Sequence, residues 1–505
     1  MDQHPYHAAI GTVPDHFNMA SYVLGKANET PTKIALKVID AASADAWTFH
    51  DIATAVRTTA KGLAEHGVQT GDHVLMRLGN TPDFPIVYLA TILLGAVPIP
   101  TSAQLTTPEI TAIAHETQPV LVVADEGISR PDGTWKTLEQ SALAGFSSLA
   151  PADPHMGDPN RPAYIIYTSG TSGKPRPVVH AHRAIWARRM MWDGWYGLES
   201  EDVVLHAGAF NWTYTLGTGL MDPWAIGATA LIPKDGTPAA QLPALLAKHD
   251  ATIFAAAPGV YRRLLRSDIP KLPSLRHGLS AGEKLPNTTA KAWQTATGTP
   301  IFEAYGMSEC STFISAHPGA QTDALGWPQK GRSIALLQDG NPVADGQNGT
   351  IAVHKDDPGL MLGYYNAKTE TAARFDGDWF LTGDIGCKGP DGAIHYAGRD
   401  DDMMNAGGYR VSPIEVENAL ATHPDIEDIA ACEIRVSADT SIIAAFYVSA
   451  DVIDDAQLAG FAAKHLARYK VPRQFIQIDA LPRGANNKIL RRQLRQNWET
   501  AHGQA

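Results

Sequence analysis

Short apolar runs alternate with amphipathic stretches along the first half of the chain. The apolar runs are typical of buried strands. They comprise Val74–Leu78, Val120–Val123, Ile165–Tyr167, Ala228–Ile232 and Thr252–Ala255. The amphipathic stretches between them predict helices over Phe84–Leu94, Ile110–Glu116 and Pro238–Lys248. Such alternation predicts an α/β fold in which the sheets are largely parallel.

The pattern changes after Arg399, where a run of aspartates and a glycine-rich stretch precede the sequence SPIE. In SPIE, Ser412 is typical of a helix N-cap and Pro413 suits the first helical position. Glu415 is expected to reach back and complete a capping box. A new helix is therefore predicted to begin here.

The chain has 505 residues, which is too long for a single hydrophobic core. We predict a large N-terminal domain of layered sheets and helices over residues 1–400. A small α+β domain of about a hundred residues is predicted over 401–505. The hinge between them is expected near Asp401.

Composition narrows the class of protein. Hydrophobic residues make up 44% of the chain and charged residues 19%, as in ordinary globular proteins. The net charge of -12 disfavours general binding to nucleic acid. The three cysteines, Cys310, Cys387 and Cys432, have no CxxC spacing and fit a reducing compartment.

The N-terminal segment lacks the basic and apolar regions of a signal peptide. The longest apolar run, Phe84–Pro100, contains two prolines and a glycine before its last residue and is too short to span a bilayer. We therefore expect a soluble cytoplasmic protein that binds neither nucleic acid nor a membrane. Whether two copies form a homodimer stays open.

The sequence YTSGTSGKPRP, from Tyr167 to Pro177, follows one of the predicted strands. Its glycines allow backbone N–H groups to turn inward, and its hydroxyls can complete a cradle for an anion. These residues are Thr168, Ser169, Gly170, Thr171, Ser172 and Gly173. The stretch is not the common GxxxxGK[ST] loop. The alternative is a surface loop rich in glycine and serine.

Further polar groups recur along the chain. Glu309, in EAYGMSE, has the oxygen ligands that Mg²⁺ prefers, and Asp384, in LTGD, can accept from both hydroxyls of a ribose. Arg399 and Arg410 flank one loop, and Lys488 precedes a basic helix. Taken singly, each of these is as well explained by a solvated turn or surface charge.

In this order, YTSGTSGKPR, YGMSE, TGD, GRDDD…GGYRVSPIEVE and NKILRRQLR resemble the adenylate-forming superfamily over nearly the whole chain. That superfamily comprises acyl- and aryl-CoA synthetases, amino-acid adenylation domains and beetle luciferases. The resemblance implies joining of a carboxylate to AMP with release of pyrophosphate, then transfer of the acyl group to a thiol. It implies ATP, Mg²⁺ and coenzyme A as reactants or cofactors, and a small-molecule carboxylic acid as partner.

The resemblance also implies roles for single residues. The loop from Thr168 to Gly173 holds phosphates with Arg176, and Glu309 binds Mg²⁺, with Thr168 as a second ligand. Lys488 bridges the substrate carboxylate and the α-phosphate. The adenine-binding residues are Gly282, Glu283, Lys284 and Tyr305, and the ribose-binding residues are Asp384 and Arg399. In the second step the C-terminal domain rotates about Asp401, and Gly408 and Arg410 contact coenzyme A.

The chain departs from the pattern of the family in three places. Arg176–Pro177 stands where Lys-Gly is usual; the arginine keeps the charge, but the proline removes an N–H and fixes φ. Ser308 replaces a threonine and keeps the hydroxyl. Asn486–Asn487 replaces a glycine before Lys488, and asparagine tolerates left-handed backbone.

The acyl pocket is expected around Asn211, Trp212, Ala257 and Gly306. Asn211 occupies the position where amino-acid adenylation domains have an aspartate for the substrate ammonium, which disfavours an α-amino acid. Gly306 is expected to leave room where acetate-specific members have a tryptophan. The surrounding sequence is most similar to medium-chain acyl- and benzoate-type CoA ligases. A small-to-medium apolar or aromatic monocarboxylate is therefore predicted.

Three other functions fit the same motifs. A stand-alone adenylating enzyme could load a carrier protein instead of coenzyme A. A non-catalytic nucleotide-binding relative would explain Arg176, Pro177 and Asn487, although the presence of both Glu309 and Lys488 argues against it. A luciferase-like oxygenase would share the fold.

Overall fold

A computed structural model describes residues 5–168, 175–320, 322–406, 409–437, 440–484 and 489–502. The chain forms two compact units. Unit 1 consists of Met1–Ser333 and Lys355–Arg374, and unit 2 consists of Ile334–His354 and Phe375–Ala505.

The strands of both units are numbered β1 to β27 in chain order. They are β1 Ile34–Ile39, β2 Ala44–Thr48, β3 His73–Arg77, β4 Val97–Pro100, β5 Leu121–Ala124, β6 Thr137–Glu139, β7 Pro162–Thr168, β8 Arg176–Ala181, β9 Val203–His206, β10 Thr229–Pro233, β11 Ile253–Ala256, β12 His277–Ala281, β13 Ile301–Met307, β14 Ser311–Ser315, β15 Trp327–Pro328, β16 Ile334–Gln338, β17 Asn341–Pro342, β18 Asn348–His354, β19 Gly363–Tyr364, β20 Phe375–Asp376, β21 Trp379–Lys388, β22 Ile394–Arg399, β23 Met404–Ala406, β24 Tyr409–Val411, β25 Asp428–Ser437, β26 Thr440–Val448 and β27 Gln474–Gln477.

The α-helices are numbered α1 to α16, also in chain order. They are α1 Pro5–Ile10, α2 Met19–Val23, α3 Phe49–Glu65, α4 Asp83–Leu93, α5 Thr107–Thr117, α6 Ala184–Ala187, α7 Arg189–Met191, α8 Thr213–Leu216, α9 Asp222–Ile226, α10 Leu242–Lys248, α11 Pro258–Leu264, α12 Asn287–Thr297, α13 Lys368–Ala372, α14 Pro413–Leu420, α15 Asp455–Ala462 and α16 Arg491–His502. Short 3₁₀ or π segments cover Gly25–Asn28, Gln140–Ser148, Trp192–Tyr196, Gly217–Met221, Ala239–Gln241, Asp400–Asp402 and Arg468–Lys470.

Unit 1 is built largely on parallel sheets, as the sequence predicts. A nine-stranded sheet has the order β15-β14-β13-β12-β11-β9-β10-β1-β2 and is parallel from β13 to β1. A four-stranded parallel sheet has the order β4-β3-β5-β6. Every predicted buried strand is present in unit 1, with ends shifted by a few residues at most.

Helix α4 explains how the two parallel sheets share a core. All residues from Phe84 to Leu93 are buried. They pack in one apolar cluster with Met76 of β3, Leu36 of β1 and Ile232 of β10, which belong to different sheets. A helix that is apolar on all sides is stable when covered on all sides. The uninterrupted apolar run that begins at Phe84 therefore forms a buried helix.

Unit 2 has mainly antiparallel sheets. Strands β17-β16-β18-β21-β20 form one sheet in which β22 also pairs with β21, and β25-β26-β27 form another. Residues 334–354 and 375–399 belong to unit 2, because their strands form the first of these sheets. The compact units are not continuous in the chain, because hydrogen bonds join strands from both sides of unit 1's segment 355–374. The division at residue 400 stays a prediction. The hinge at Asp401 stays a prediction.

Helix α14 begins as predicted, with one difference. The Ser412 hydroxyl accepts from the Glu415 N–H at 3.3 Å, and Pro413 occupies the first turn. The Glu415 carboxylate does not complete a capping box, because it binds the ammonium of Lys470. Among the helices that the described ranges contain, none combines the length and apolarity that crossing a bilayer requires.

Candidate active site

The predicted phosphate loop connects two antiparallel strands of unit 1. Strand β7 ends at Thr168, which pairs with Arg176 at the start of β8. A β-strand therefore follows the loop. The GxxxxGK[ST] loop, which this sequence does not match, leads into an α-helix. Residues 169–174, and with them Ser169, Gly170, Thr171, Ser172 and Gly173, lie outside the described residues.

Glu309 lies against the neighbouring strand of the same small sheet. Strand β19 pairs with β8 and places Tyr364 opposite Val178. The Tyr364 hydroxyl donates to Oε1 of Glu309 at 2.8 Å, and the Met361 N–H donates to its carbonyl oxygen at 2.7 Å. Glu309 is only 8% exposed, so it is not the solvated loop acid that was the alternative interpretation.

Tyr364 also contacts the predicted phosphate-binding cation. The Arg176 guanidinium carbon lies 5.4 Å from the centroid of the Tyr364 ring, within reach of a cation–π interaction. Nε of Arg176 is 3.8 Å from the carboxylate of Glu370. Burial and the neighbouring Glu309 raise the pKa of Tyr364 to about 12, so the hydroxyl stays protonated and serves as a donor.

The surroundings of Glu309 fit a magnesium ion bound together with phosphates. Within the described ranges there is no cluster of three or more His, Cys, Asp or Glu that could enclose a metal. Mg²⁺ does not require such a cluster, since it commonly binds one or two carboxylates plus substrate phosphates. A buried carboxylate, oriented by a tyrosine hydroxyl next to the hairpin of β7 and β8, is the donor that such a site needs.

Replacing Tyr364 with phenylalanine tests this orientation. Tyr364→Phe removes the hydrogen bond to Glu309 and keeps the ring beside Arg176. Because a hydrogen bond to a charged group contributes about 1.5–3 kcal/mol, we expect the Mg²⁺ concentration for half-maximal activity to rise about tenfold or more. Titration of Mg²⁺ in a pyrophosphate-release assay measures it. Tyr365→Phe is the matched control, and an unchanged Mg²⁺ requirement in Tyr364→Phe would refute the role.

A buried ion pair links the segment that contains Glu309 to the segment that contains Met361. The Arg332 guanidinium donates to Asp357 at 2.5 Å and to the carbonyl oxygen of Thr312 at 3.0 Å. Both side chains of the ion pair are 0% exposed. Thr312 follows Glu309 in the chain, and Asp357 precedes Met361, whose N–H binds Glu309. Arg332 therefore connects residues 309–312 with residues 357–361, the two segments that meet at Glu309.

The predicted adenine-binding residues lie at the ends of β12 and β13 in unit 1. Gly282 follows β12 with φ of 98°, a backbone conformation that favours glycine. Lys284 binds the buried carboxylate of Glu303 at 2.7 Å, and burial raises the pKa of that carboxyl. Tyr305 lies edge-on to Phe313, with ring centroids 5.3 Å apart. The contact of Lys284 is thus a structural ion pair, a role that the sequence did not suggest.

The predicted acyl-pocket residue Trp212 borders the adenine-binding loop. A Cβ added to Gly282 would lie 3.0 Å from Cζ2 of Trp212, so the two residues are in close contact. Asn211, Trp212 and Ala257 are each only partly buried. Trp212 also packs edge-on against Tyr214 at 5.1 Å between ring centroids.

The direction in which a side chain would leave Gly306 is filled by backbone atoms. A Cβ at this position would come within 2.1 Å of the carbonyl oxygen of Ser311 and 2.5 Å of the Cα of Thr312. The space of the missing side chain is therefore filled by β14, which pairs with β13 here. Glycine at this position allows the close approach of two backbones. That Gly306 leaves room for the substrate stays a prediction.

In unit 2, Asp384 and Arg399 lie opposite each other on β21 and β22. Their side chains are 3.5 Å apart, and Asp384 also accepts from the hydroxyl of Tyr396 at 3.0 Å. Asp384 is buried and its N–H binds the Thr382 hydroxyl at 3.1 Å. The two residues predicted to bind ribose are thus adjacent within one sheet.

Four further predicted residues have no described side chain. Gly408 and Lys488 lie outside the described residues, as do the side chains of Asp401 and Arg410.

Several residues of the site were not predicted from the sequence. They are Tyr364, Tyr396 and the pair of Arg332 and Asp357. Nothing in their local sequence marks them, because each acts through contacts between segments that are distant in the chain or on neighbouring strands.

Comparison with known proteins identifies the family. Residues 25–365 match the family described as AMP-binding enzyme, and residues 415–488 match its C-terminal domain. The chain therefore belongs to the AMP-binding enzyme family, which confirms the resemblance to adenylate-forming enzymes. It is an AMP-forming acid–thiol ligase, an ATP-dependent acyl-CoA synthetase that uses ATP, Mg²⁺ and coenzyme A.

Individual relatives agree with this assignment. Human mitochondrial acyl-coenzyme A synthetase ACSM3 is 29% identical over 97% of this chain and 91% of its own length. The structure of a benzoate CoA ligase from Burkholderia xenovorans LB400 is similar with a TM-score of 0.84 at 26% identity, over 95% of this chain and 100% of the other. The anthranilate CoA ligase AuaEII, with a TM-score of 0.87 at 24% identity over 97% of this chain and 98% of its own, has the same fold.

Proposed function

We propose that this acyl-CoA synthetase activates a small-to-medium apolar or aromatic monocarboxylate. The observation that carries the proposal is the aromatic wall formed by Trp212 and Tyr214 beside Gly282. An apolar acyl group is stabilised by such a wall, whereas the ammonium of an amino acid would need a carboxylate at Asn211. The similarity to a benzoate CoA ligase supports an aromatic acid as one member of this class.

We propose the following roles in the first step. The carboxylate must approach a triphosphate that repels it, so positioning and electrostatic stabilisation dominate. Arg176 and Thr168 hold the phosphates at the end of the β7–β8 hairpin, and Lys488 stabilises the charge between the carboxylate and the α-phosphate. Glu309, oriented by Tyr364, is the Mg²⁺ ligand. When bound, Mg²⁺ neutralises phosphate charge.

In the second step, we propose that coenzyme A attacks the acyl-adenylate after the C-terminal domain, residues 401–505, rotates about Asp401. Gly408 and Arg410 then contact coenzyme A. The thiol of coenzyme A, with an ordinary pKa of about 8.5, must lose its proton before or during the attack. Asp384 and Arg399 are the proposed ribose ligands, and their cross-strand pairing supports this role.

A cytoplasmic location is part of the proposal. The thiols of Cys310, Cys387 and Cys432 are all free. Free thiols are usual in the reducing cytoplasm.

Pyrophosphate release with ATP and Mg²⁺ across a panel of carboxylic acids, with and without coenzyme A, tests the proposal. The panel should contain short- to medium-chain linear acids, benzoates and amino acids. We expect release that rises sharply with coenzyme A for aromatic or medium-chain acids. Release that coenzyme A does not stimulate would favour loading of a carrier protein, and a preference for amino acids would refute the proposed substrate class.

A further inference from the structure

A serine with unusual backbone closes the turn that carries Glu309. Residues 308–310 form this turn between β13 and β14, and Met307 pairs with Ser311 across it. The φ angle of Ser311 is 62°, in the left-handed region that residues with a Cβ adopt only at a cost. Strained backbone of this kind occurs preferentially at functional sites, where the surrounding structure has to maintain it.

The environment of Ser311 differs from that of other residues with such backbone. Among the non-glycine residues that the structure describes, four more have a positive φ, and each of the four is exposed. They are Gln118, Asp250, Asp339 and Asn366. Ser311 is partly buried and begins strand β14. Its backbone is therefore held by contacts with the interior of the protein.

The contact that reaches the side chain of Ser311 comes from a buried arginine. Nη1 of Arg188 donates to the Ser311 hydroxyl at 2.5 Å. Nη2 and Nε of the same guanidinium donate to the carboxylate of Asp222, at 2.5 and 2.8 Å. The side chains of Arg188 and Asp222 are only 9% and 1% exposed. One planar, rigid guanidinium therefore binds a carboxylate along one edge and Ser311 with its remaining nitrogen.

The carboxylate of Asp222 is itself held by neighbouring hydroxyls. The Tyr196 hydroxyl donates to Asp222 at 2.7 Å and lies 2.7 Å from the hydroxyl of Thr218. Asp222 begins α9, and Tyr196 ends the π segment Trp192–Tyr196. A buried polar network whose members bind one another is rigid. The guanidinium of Arg188 therefore has a defined position from which to hold Ser311.

We propose that Arg188 and Asp222 are positioning residues for the proposed Mg²⁺ ligand Glu309. Arg188 holds Ser311 in the left-handed conformation, and this conformation fixes the turn that presents Glu309. Tyr364 orients the carboxylate of Glu309, whereas Arg188 sets the backbone that carries it. The inference rests on the proposed function, because it deepens the role of Glu309 in that site.

Replacing Ser311 with alanine and with glycine tests the inference. Ser311→Ala removes the acceptor for Arg188 and leaves a Cβ on left-handed backbone, so we expect the Mg²⁺ concentration for half-maximal pyrophosphate release to rise about tenfold. Ser311→Gly loses the same hydrogen bond but adopts this φ freely, so its Mg²⁺ requirement should be closer to that of the wild type. Thioester formation from supplied acyl-adenylate and coenzyme A involves no Mg²⁺-bound triphosphate, and its rate should stay unchanged.

Ser315→Ala is the matched control. Ser315 lies in the same strand as Ser311, and its hydroxyl donates to the carbonyl oxygen of Gly194 at 2.7 Å. This variant should lose stability in urea denaturation and keep the wild-type Mg²⁺ requirement.

Arg188→Lys tests the other member of the contact. The lysine keeps a positive charge beside Asp222, but one ammonium cannot replace the fork that also reaches Ser311. Its Mg²⁺ requirement should rise as in Ser311→Ala. Because both changes break the same contact, the double variant should need no more Mg²⁺ than either single variant.

Glu309→Gln separates failure of the inference from failure of the proposed function. If Glu309→Gln raises the Mg²⁺ requirement while Ser311→Ala leaves it unchanged, the inference is wrong and the proposed role of Glu309 stands. Equal losses of pyrophosphate release and of thioester formation in Ser311→Ala would show that the contact only stabilises the fold, which also overturns the inference. If Glu309→Gln leaves the Mg²⁺ requirement unchanged, the proposed role of Glu309 fails and this inference fails with it.

Discussion

Replacement of Lys488 with alanine is expected to reduce pyrophosphate release by about 10²- to 10³-fold. In the proposed first step this ammonium stabilises charge that develops between the carboxylate and the α-phosphate. Removal of one such donor costs about 2.7–4 kcal/mol of transition-state stabilisation. Because the loss occurs in the transition state, kcat should fall more than KM rises. Initial rates under saturating ATP and acid measure it.

Two controls make this result specific. Lys464→Ala removes an exposed lysine of the same unit and should leave the rate unchanged. Supplying the acyl-adenylate directly with coenzyme A bypasses the first step, so Lys488→Ala should then form thioester at close to the wild-type rate. An equal loss in both assays would assign Lys488 to a different role.

Replacement of Arg332 with methionine is expected to destabilise the fold by about 3–5 kcal/mol. Removing one member of a buried ion pair leaves the other charge buried and unpaired, here the carboxylate of Asp357. Both side chains are fully buried, so water cannot compensate. Urea denaturation followed by fluorescence measures the change, provided that the slope of the transition is the same for both proteins.

The exposed ion pair of Arg130 and Glu139 provides the control. Its side chains are 35% and 39% exposed although the contact is short, at 2.6 Å. Arg130→Met should therefore cost at most about 1 kcal/mol. Adding Asp357→Leu to Arg332→Met should recover much of the lost stability, because no unpaired charge remains. Similar losses from Arg332→Met and Arg130→Met would show that burial of the pair is unimportant.

Much of unit 1 could be predicted because its signals are local. The apolar runs at Val74, Ala228 and Thr252 each became a parallel strand close to the predicted bounds. The motif order also predicted the family, which the comparison confirmed. These features depend on neighbouring residues in the chain, whose periodicity and turn chemistry are visible in the sequence.

The division into units could not be predicted in the same way. Strands β16 to β18 and β21 pair across the segment 355–374, which itself packs in unit 1. A change in composition near Arg399 marks the start of new local structure. It carries no information on which distant strands pair with each other.

The sequence by itself determined the chemistry available to this protein: a buried α/β core, a glycine- and hydroxyl-rich loop, and the carboxylates and cations that follow it in order. Only the tertiary structure decided their partners. It brought the Tyr364 hydroxyl to Glu309, joined Arg332 to Asp357, and packed β14 against Gly306. Such contacts join residues that are not neighbours in the chain, and they arise from strand pairing and packing that local patterns do not encode.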